Sequence, residues 1–123
     1  FPTRRSSDLD DEANRIFRAL ADSTRRDIIR RTLTAPVNVS KLAAEYEMSF
    51  AAVQKHVAVL ERAGLVTKRR AGREALASGE VTAVRSVSAL LDELEQIWRG
   101  RISRIDDLLA ADLTTPTDAD SDE

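Results

Sequence analysis

Two short helical segments joined by a tight turn constrain the fold of this chain more than any other feature. Ser40 is placed to cap the first segment, KLAAEYE. Four residues, 46–49, separate it from the second segment, FAAVQKHVAVLERA, which Ser49 can cap and Gly64 can end. This second segment carries an inward stripe at helical spacing, formed by Val53, Val57 and Leu60. The spacing predicts a helix-turn-helix unit.

The residues after Gly64 predict a β-hairpin. LVTKRR has partly alternating strand character, Ala71-Gly72 can turn the chain, and REALA returns as a second strand. A further short alternation at 37–39 is compatible with a small strand. A helix-turn-helix followed directly by a basic hairpin is the winged variant of this unit.

Two helices are expected before the helix-turn-helix unit. Residues 10–21 place apolar side chains on one face, behind an acidic first turn that suits the helix dipole. The segment DSTRRDIIRRTL follows, with Asp22 or Ser23 as its cap and Ala35-Pro36 as its end. Its expected apolar side consists of Ile28, Ile29 and Leu33.

The last third of the chain predicts one long helix, from about Glu80 to Ala110. Its apolar residues step by three or four positions: Val84, Val87, Leu91, Leu94, Trp98, Ile102, Ile105 and Leu109. About 30 residues rise some 45 Å, which is too long for so small a body to cover. The N-terminal half can pack on its own domain, but for the stripe as a whole we expect a second copy, with help from the first helix.

The predicted fold is therefore mainly α with a small β-hairpin, a winged helix-turn-helix with a long C-terminal dimerisation helix. The candidate dimer-interface residues are Ile16, Phe17, Leu91, Leu94, Trp98, Ile102, Ile105 and Leu109.

The composition argues against an enzyme. The chain has no cysteine and one histidine, which leaves almost no material for a zinc site or a Ser-His-Asp arrangement. Carboxylate pairs such as Asp92-Glu93 and Asp106-Asp107 are adjacent along a helix and do not converge on one substrate. The sequence contains no Gly-rich phosphate loop and no apolar run of about 18 residues that would span a membrane. We expect no catalytic residue, no metal, no cofactor and no membrane partner.

The two ends of the chain are expected to lie outside the folded domain, which we place at residues 10–110. Residues 1–9, FPTRRSSDL, equal the in-frame translation of a common DNA sequencing adapter. We expect this segment to be non-native and the true start to lie further upstream, with a genuine disordered arm as the alternative. Residues 106–123 carry seven acids and no base, and we expect an acidic disordered tail at 111–123.

Positive charge is concentrated in one region of this acidic chain, whose formal net charge is −2. Residues 48–73 carry a net charge of +5, since six cations face only Glu61. The local field at a contact surface, rather than the overall charge, decides whether phosphates are bound. A capped helix that starts with small residues can enter a major groove, and a wing tip can reach the DNA backbone or minor groove.

At these residues the sequence resembles the ArsR-type (arsenic-repressor-like) winged helix-turn-helix regulators. The resemblance is carried by A-D-x-T-R-R at 21–26, K-H-x-x-x-L-E-x-A-G-L-V at 55–66 and R-x-G-R at 70–73. It covers about residues 10 to 110 and includes the late Trp98 helix. Together these motifs are specific, whereas any one alone is weak.

The resemblance implies a homodimer that represses its own or a neighbouring operon. The recognition-helix positions that match the family's DNA-facing residues are Ser49, Phe50, Ala51, Gln54, Lys55 and His56. The expected DNA contacts of the wing are Lys68, Arg69, Arg70 and Arg73. The family commonly has Gln-Pro where this chain has Phe50-Ala51, and Ser where it has Gln54, so the operator sequence stays open.

Several residues keep two interpretations. His56 is either a groove-facing donor or a partly buried histidine bonded to a carbonyl. Met48 favours a core or turn role over a DNA contact, and Phe50 fits either. Arg25 and Arg26 are equally suited to phosphate contacts and to surface salt bridges.

Metal-responsive members of the family use cysteines in the first helix of the helix-turn-helix, or His/Asp sets on the last helix. This chain has neither, so the resemblance implies a metal-independent member with an unidentified inducer. The expected function is a dimeric, sequence-specific repressor that binds double-stranded operator DNA in the cytoplasm of a bacterial cell, at the nucleoid when bound. The alternative is a winged-helix protein-interaction module without direct DNA binding.

Overall fold

A computed structural model describes the backbone of residues 6–121 and the side chains of residues 8–112. In chain order the elements are α1 (Ser6–Leu20), α2 (Ser23–Thr34), β1 (Val37–Asn38), α3 (Val39–Ala43), α4 (Phe50–Arg62), β2 (Val66–Ala71), β3 (Glu74–Gly79) and α5 (Val81–Ser121). The predicted fold class is confirmed: the chain is mainly helical, with a small antiparallel sheet and a long C-terminal helix.

The helix caps follow from local chemistry, with one exception. Asp22 caps α2 by accepting the backbone N–H of Arg25 at 3.0 Å. Ser49 caps α4 in the same way. The prediction that Ser40 caps α3 was wrong. Asn38 is the cap, since its side chain accepts the N–H of Lys41, and α3 already begins at residue 39. Helix α3 is also shorter than the expected KLAAEYE segment, since it ends at residue 43.

The sheet has the strand order β1-β3-β2, and both pairs are antiparallel. Hairpin β2–β3 is closed by Gly72 and Arg73, because Ala71 pairs with Glu74. The turn therefore lies one residue later than the predicted Ala71-Gly72. Gly72 has a φ of 67° and Gly64 a φ of 77°, the left-handed region that glycine adopts without strain.

The chain comprises two compact units, one of residues up to Val87 and one of residues from Ser88. The first unit has its own apolar core, which includes the predicted α4 stripe of Val53, Val57 and Leu60. In α2 the inward residue is Thr32 instead of the expected Leu33, whose side chain is 44% exposed. Thr32 is tolerated inside because its hydroxyl donates to the carbonyl of Ile28 at 2.9 Å.

The second unit is the remainder of α5, which is continuous from Val81 to Ser121. We expected the helix to end near Ala110, but it continues for a further 11 residues, since Ser121 is its last. The side chains of 113–123 lie outside the described residues, as do residues 1–5. The expectations for the 1–9 segment, for the domain limits 10–110 and for an acidic disordered tail at 111–123 stay predictions.

Candidate nucleic-acid interface

Helix α4 is amphipathic, and its outer side holds most of the predicted recognition residues. Val53, Val57 and Leu60 point into the core and are fully buried. The exposed residues of its N-terminal half, together with the cap, are Ser49, Phe50, Ala51, Gln54 and Lys55. Five of the six predicted groove-facing residues therefore share an accessible surface. Its N-terminal turn also offers unpaired N–H groups, which favour negative charge.

His56 differs from the other five, because it is half-buried and bonded to the protein. Its Nδ1 lies 3.2 Å from a terminal nitrogen of Arg25, which can only donate. Nδ1 is therefore the acceptor, and the neutral ring carries its proton on Nε2. The partner of His56 is an arginine and not the carbonyl of the alternative interpretation.

Arg25 joins three helices through one guanidinium. Besides His56 of α4, it donates to the carbonyl of Ala19 at 2.8 Å and to that of Arg18 at 2.9 Å, both in the last turn of α1. Arg26 donates to the carbonyl of Leu20 at 2.6 Å. A cation at these carbonyls also complements the negative end of the α1 dipole.

The A-D-x-T-R-R motif is thus a corner between α1 and α2. The hydrogen bond from the N–H of Arg25 is the main reason that the pKa of Asp22 lies below its usual value. Both arginines bind backbone carbonyls here, which is neither the salt bridge nor the phosphate contact considered from the sequence.

A second cluster, which sequence reasoning did not find, lies behind the turn between α3 and α4. The hydroxyl of Tyr46 donates to Asp27 of α2 at 2.5 Å, and Arg31 donates to the same carboxylate at 2.9 Å. Arg31 also lies over the Tyr46 ring, 5.6 Å from its centre. Burial and the adjacent Asp27 raise the pKa of Tyr46 to about 12. The hydrogen bond from Tyr46 lowers the pKa of Asp27.

The four wing residues Lys68, Arg69, Arg70 and Arg73 are all exposed, and Arg73 occupies the hairpin tip. Lys68 has a nearby acid, since its Nζ lies 3.7 Å from Glu61 of α4. Among the described residues, the three arginines have no ion pair. Met48 packs against the core, in agreement with the favoured interpretation, and Phe50 is 47% exposed.

The candidate dimer residues divide into one buried and seven exposed members. Ile16 is 2% exposed and belongs to the core of the first unit, so it has no surface to offer a second copy. Of the two candidates on α1, Ile16 and Phe17, only Phe17 is accessible, with 37% of its surface exposed. The others are at least 40% exposed: Leu91, Leu94, Trp98, Ile102, Ile105 and Leu109. Ile97 and Leu108, which the predicted stripe left out, are more exposed still and widen it.

Within the described residues, no group of three or more His, Cys, Asp or Glu side chains is arranged to hold a metal ion. In the same part of the chain, no helix has the length and apolar character to cross a bilayer.

Known proteins resemble this chain in sequence and in structure. A family model described as a helix-turn-helix domain matches residues 20–69. The HTH-type transcriptional regulator Rv2034 of Mycobacterium tuberculosis is 36% identical over 85 residues, which are 69% of this chain and 77% of that protein.

Two solved structures show the likeness of the fold. The ArsR family transcriptional regulator RHA00566 superposes with a TM-score of 0.69 at 34% identity, over 72% of this chain and 92% of that one. The homodimeric winged helix-turn-helix DNA-binding domain of Mb0332 from Mycobacterium bovis superposes with a TM-score of 0.62 at 23% identity, over 78% and 89% of the two chains.

Proposed function

Because this chain belongs to the ArsR family of helix-turn-helix transcriptional regulators, we propose that it is a homodimeric, metal-independent repressor that binds double-stranded operator DNA through α4 and hairpin β2–β3. The observation that carries this proposal is the shared exposure of the polar N-terminal half of α4 and of the cationic wing. In a DNA complex these two elements have complementary tasks, since base edges specify and phosphates position.

The outer side of α4 has the chemistry for reading a major groove. Gln54 can form paired hydrogen bonds with adenine, and Lys55 can donate to guanine or to a phosphate. Ala51 keeps the first turn narrow, which permits close approach to the bases. His56 presents Nε2–H as a donor while Arg25 fixes the other ring nitrogen.

The wing supplies charge without base specificity. Arg69, Arg70 and Arg73 have no ion pair among the described residues, so they can neutralise phosphates without first breaking a contact. Lys68 must exchange its exposed contact with Glu61, which costs little at a surface. Each phosphate neutralised releases counterions, and the affinity should therefore fall steeply with salt.

The dimer is proposed to form along α5, with Phe17 contributing from α1. An amphipathic helix with Leu91, Leu94 and Trp98 each 54% exposed has a large unpartnered apolar surface. A second copy covers such a stripe by a self-complementary contact. The homodimeric Mb0332 domain has the same fold, which is compatible with this arrangement.

A dimer that occupies a promoter would repress transcription from it. A protein with this function acts in the cytoplasm, and at the nucleoid when it is bound to DNA. The proposal of metal independence rests on the sequence, because the chain has no cysteine and its last helix has no histidine.

The test is protection mapping on the DNA upstream of this gene and its neighbours, followed by affinity measurements on the protected segment. Gln54→Ala should change the preference among single-base variants of that segment, whereas the wild-type wing keeps the general affinity. Protection that is absent from all upstream DNA, or a Gln54→Ala preference identical to wild type, would contradict the assignment of α4. Release of the DNA by Zn²⁺ or As(III) would contradict metal independence.

A further inference from the structure

A cavity of about 300 Å³ lies in the first unit, away from the residues assigned to DNA. It is bounded by α1, by the C-terminal end of α4 and by the first turns of α5. A neighbouring cavity of about 210 Å³ shares three of its lining residues, so the two are parts of one groove. Its size matches the lower range of small-molecule sites in proteins.

The polar lining of this groove is strongly cationic. Arg15 and Arg62 line both cavities, and Arg18 lines the smaller one. The guanidinium groups of Arg15 and Arg62 have no hydrogen bond or ion pair within the described residues, and the backbone carbonyl of Arg18 is the part of that residue used by Arg25. The acid of the lining, Glu12, already takes part in an interaction of its own. Like charges that line one groove repel one another, and a bound anion offsets that repulsion.

The remaining lining suits a ligand that is only partly polar. Ala63 and Ala83 supply the accessible apolar wall of the larger cavity, since Ile16 lines it with a side chain that is only 2% exposed. Thr82, in the first turn of α5, has a hydroxyl without a hydrogen bond to any described residue, and amides of a first turn have no helical acceptor. Polar donors at one side and apolar walls at the other are typical of sites for small organic molecules.

The groove is too far from the N-terminal turn of α4 to be a continuation of the DNA surface. Arg62 follows the cap Ser49 by a full helix length of 13 residues, which corresponds to about 20 Å. A major groove is only about 8.5 Å deep. A helix that enters by its N-terminal turn therefore leaves Arg62 clear of the bases.

We propose that this groove binds a small organic anion, with a phosphate or carboxylate group between Arg15 and Arg62 and a short apolar portion against Ala63 and Ala83. Arginine is suited to this task because its planar donors pair with both oxyanion types. The site joins the end of the recognition helix to the start of the dimerisation helix. A bound anion would therefore contact both α4 and α5. The proposal goes beyond DNA binding and does not depend on it.

The experiment uses the ¹⁵N-labelled full chain, with phenyl phosphate and inorganic phosphate as probes. Phenyl phosphate should shift the amides of Ile16, Gly64 and Thr82 in a saturable way, with a Kd at or below about 1 mM. Inorganic phosphate should bind more weakly, because it leaves the apolar walls uncovered. Arg15→Gln combined with Arg62→Gln should weaken phenyl phosphate binding at least tenfold.

The matched control is Arg30→Gln combined with Lys41→Gln, which removes the same charge from exposed positions of α2 and α3 and should leave probe binding unchanged. Equal affinity in the groove variant and wild type would overturn the proposal, as would probe shifts confined to the wing and the start of α4. A third result would also overturn the proposal: the wild-type amides respond to neither probe, and the groove variant no longer dimerises. That result would show that a second copy of the chain covers the groove. Because DNA affinity is measured separately, failure here leaves the repressor proposal to its own test.

Discussion

Replacing Arg25 by glutamine should destabilise the first unit more than the same change at Arg26. The side chain of Arg25 makes three hydrogen bonds, to the carbonyls of Arg18 and Ala19 and to Nδ1 of His56, whereas that of Arg26 makes one, to the carbonyl of Leu20. The two variants lose the same charge at adjacent positions of α2. Their difference therefore isolates the extra contacts of Arg25.

The expected magnitude follows from the number and exposure of these bonds. A hydrogen bond contributes about 0.5–1.5 kcal/mol net, and the freed carbonyls at the end of α1 regain water. Arg25→Gln should cost about 2 kcal/mol and Arg26→Gln about 1 kcal/mol. A difference of about 1 kcal/mol corresponds to about 4 °C in Tm for a domain of this size.

Thermal and denaturant unfolding of the full-length variants measure these differences. A cycle with His56→Ala separates the bond between α2 and α4 from the bonds to α1, and we expect a coupling of about 0.5–1 kcal/mol. Arg25→Lys should recover little, because an ammonium cannot reach three acceptors in fixed directions. Equal Tm values for the Arg25 and Arg26 variants, or no coupling with His56, would refute the role assigned to Arg25.

Three further outcomes are expected. Gly79→Ala should cost about 1–3 kcal/mol of folding free energy, because its Cβ would lie 2.9 Å from the backbone nitrogen of Leu33. Gly100→Ala should not destabilise the chain, because its Cβ would make only an ordinary contact, 3.6 Å from a terminal nitrogen of Arg104. The pKa of Tyr46 is raised to about 12 in the folded chain, against an ordinary 10.0. The contribution of the protonated Tyr46 hydroxyl to the free energy of unfolding should be full below pH 10 and lost as the pH rises through 12. Tyr46 is the single tyrosine, so tyrosinate absorbance reports its titration directly, and an ordinary midpoint would contradict the described contact. Trp98→Ala should raise the dimer dissociation constant at least tenfold in analytical ultracentrifugation, and an unchanged constant would remove α5 from the interface.

Local chemistry explains which parts of the fold could be predicted. The cap Ser49 and the positive φ of Gly64 depend on a few neighbouring residues, and both were predicted. For α2 the sequence left Asp22 and Ser23 as alternatives, and Asp22 is the cap. The predicted cap of α3 was wrong because Asn38 and Ser40 are both good capping residues, and the sequence does not distinguish them. The choice depends on β1 pairing with β3, almost 40 residues later in the chain.

The contacts that complete the candidate site depend on distant residues. His56 is 31 positions from Arg25, and Tyr46 is 19 from Asp27, so no spacing rule connects them. Thr32, and not the predicted Leu33, faces the core because the packing of α2 on other elements sets which side of the helix points inward. Periodicity defines a face of a helix only to within about one residue.

The central claim is that α4 and the wing form one DNA-binding surface, and the salt dependence of binding tests it most directly. The affinity of wild type for the protected upstream DNA should fall linearly on a log–log plot of salt concentration. Arg70→Ala combined with Arg73→Ala removes up to four phosphate contacts from a dimer, which should lower the slope by about 3–4 and weaken all sequences alike. An unchanged slope would contradict the assignment of the wing. A wild-type protein without salt-sensitive DNA binding would contradict the whole account and favour a protein-interaction module.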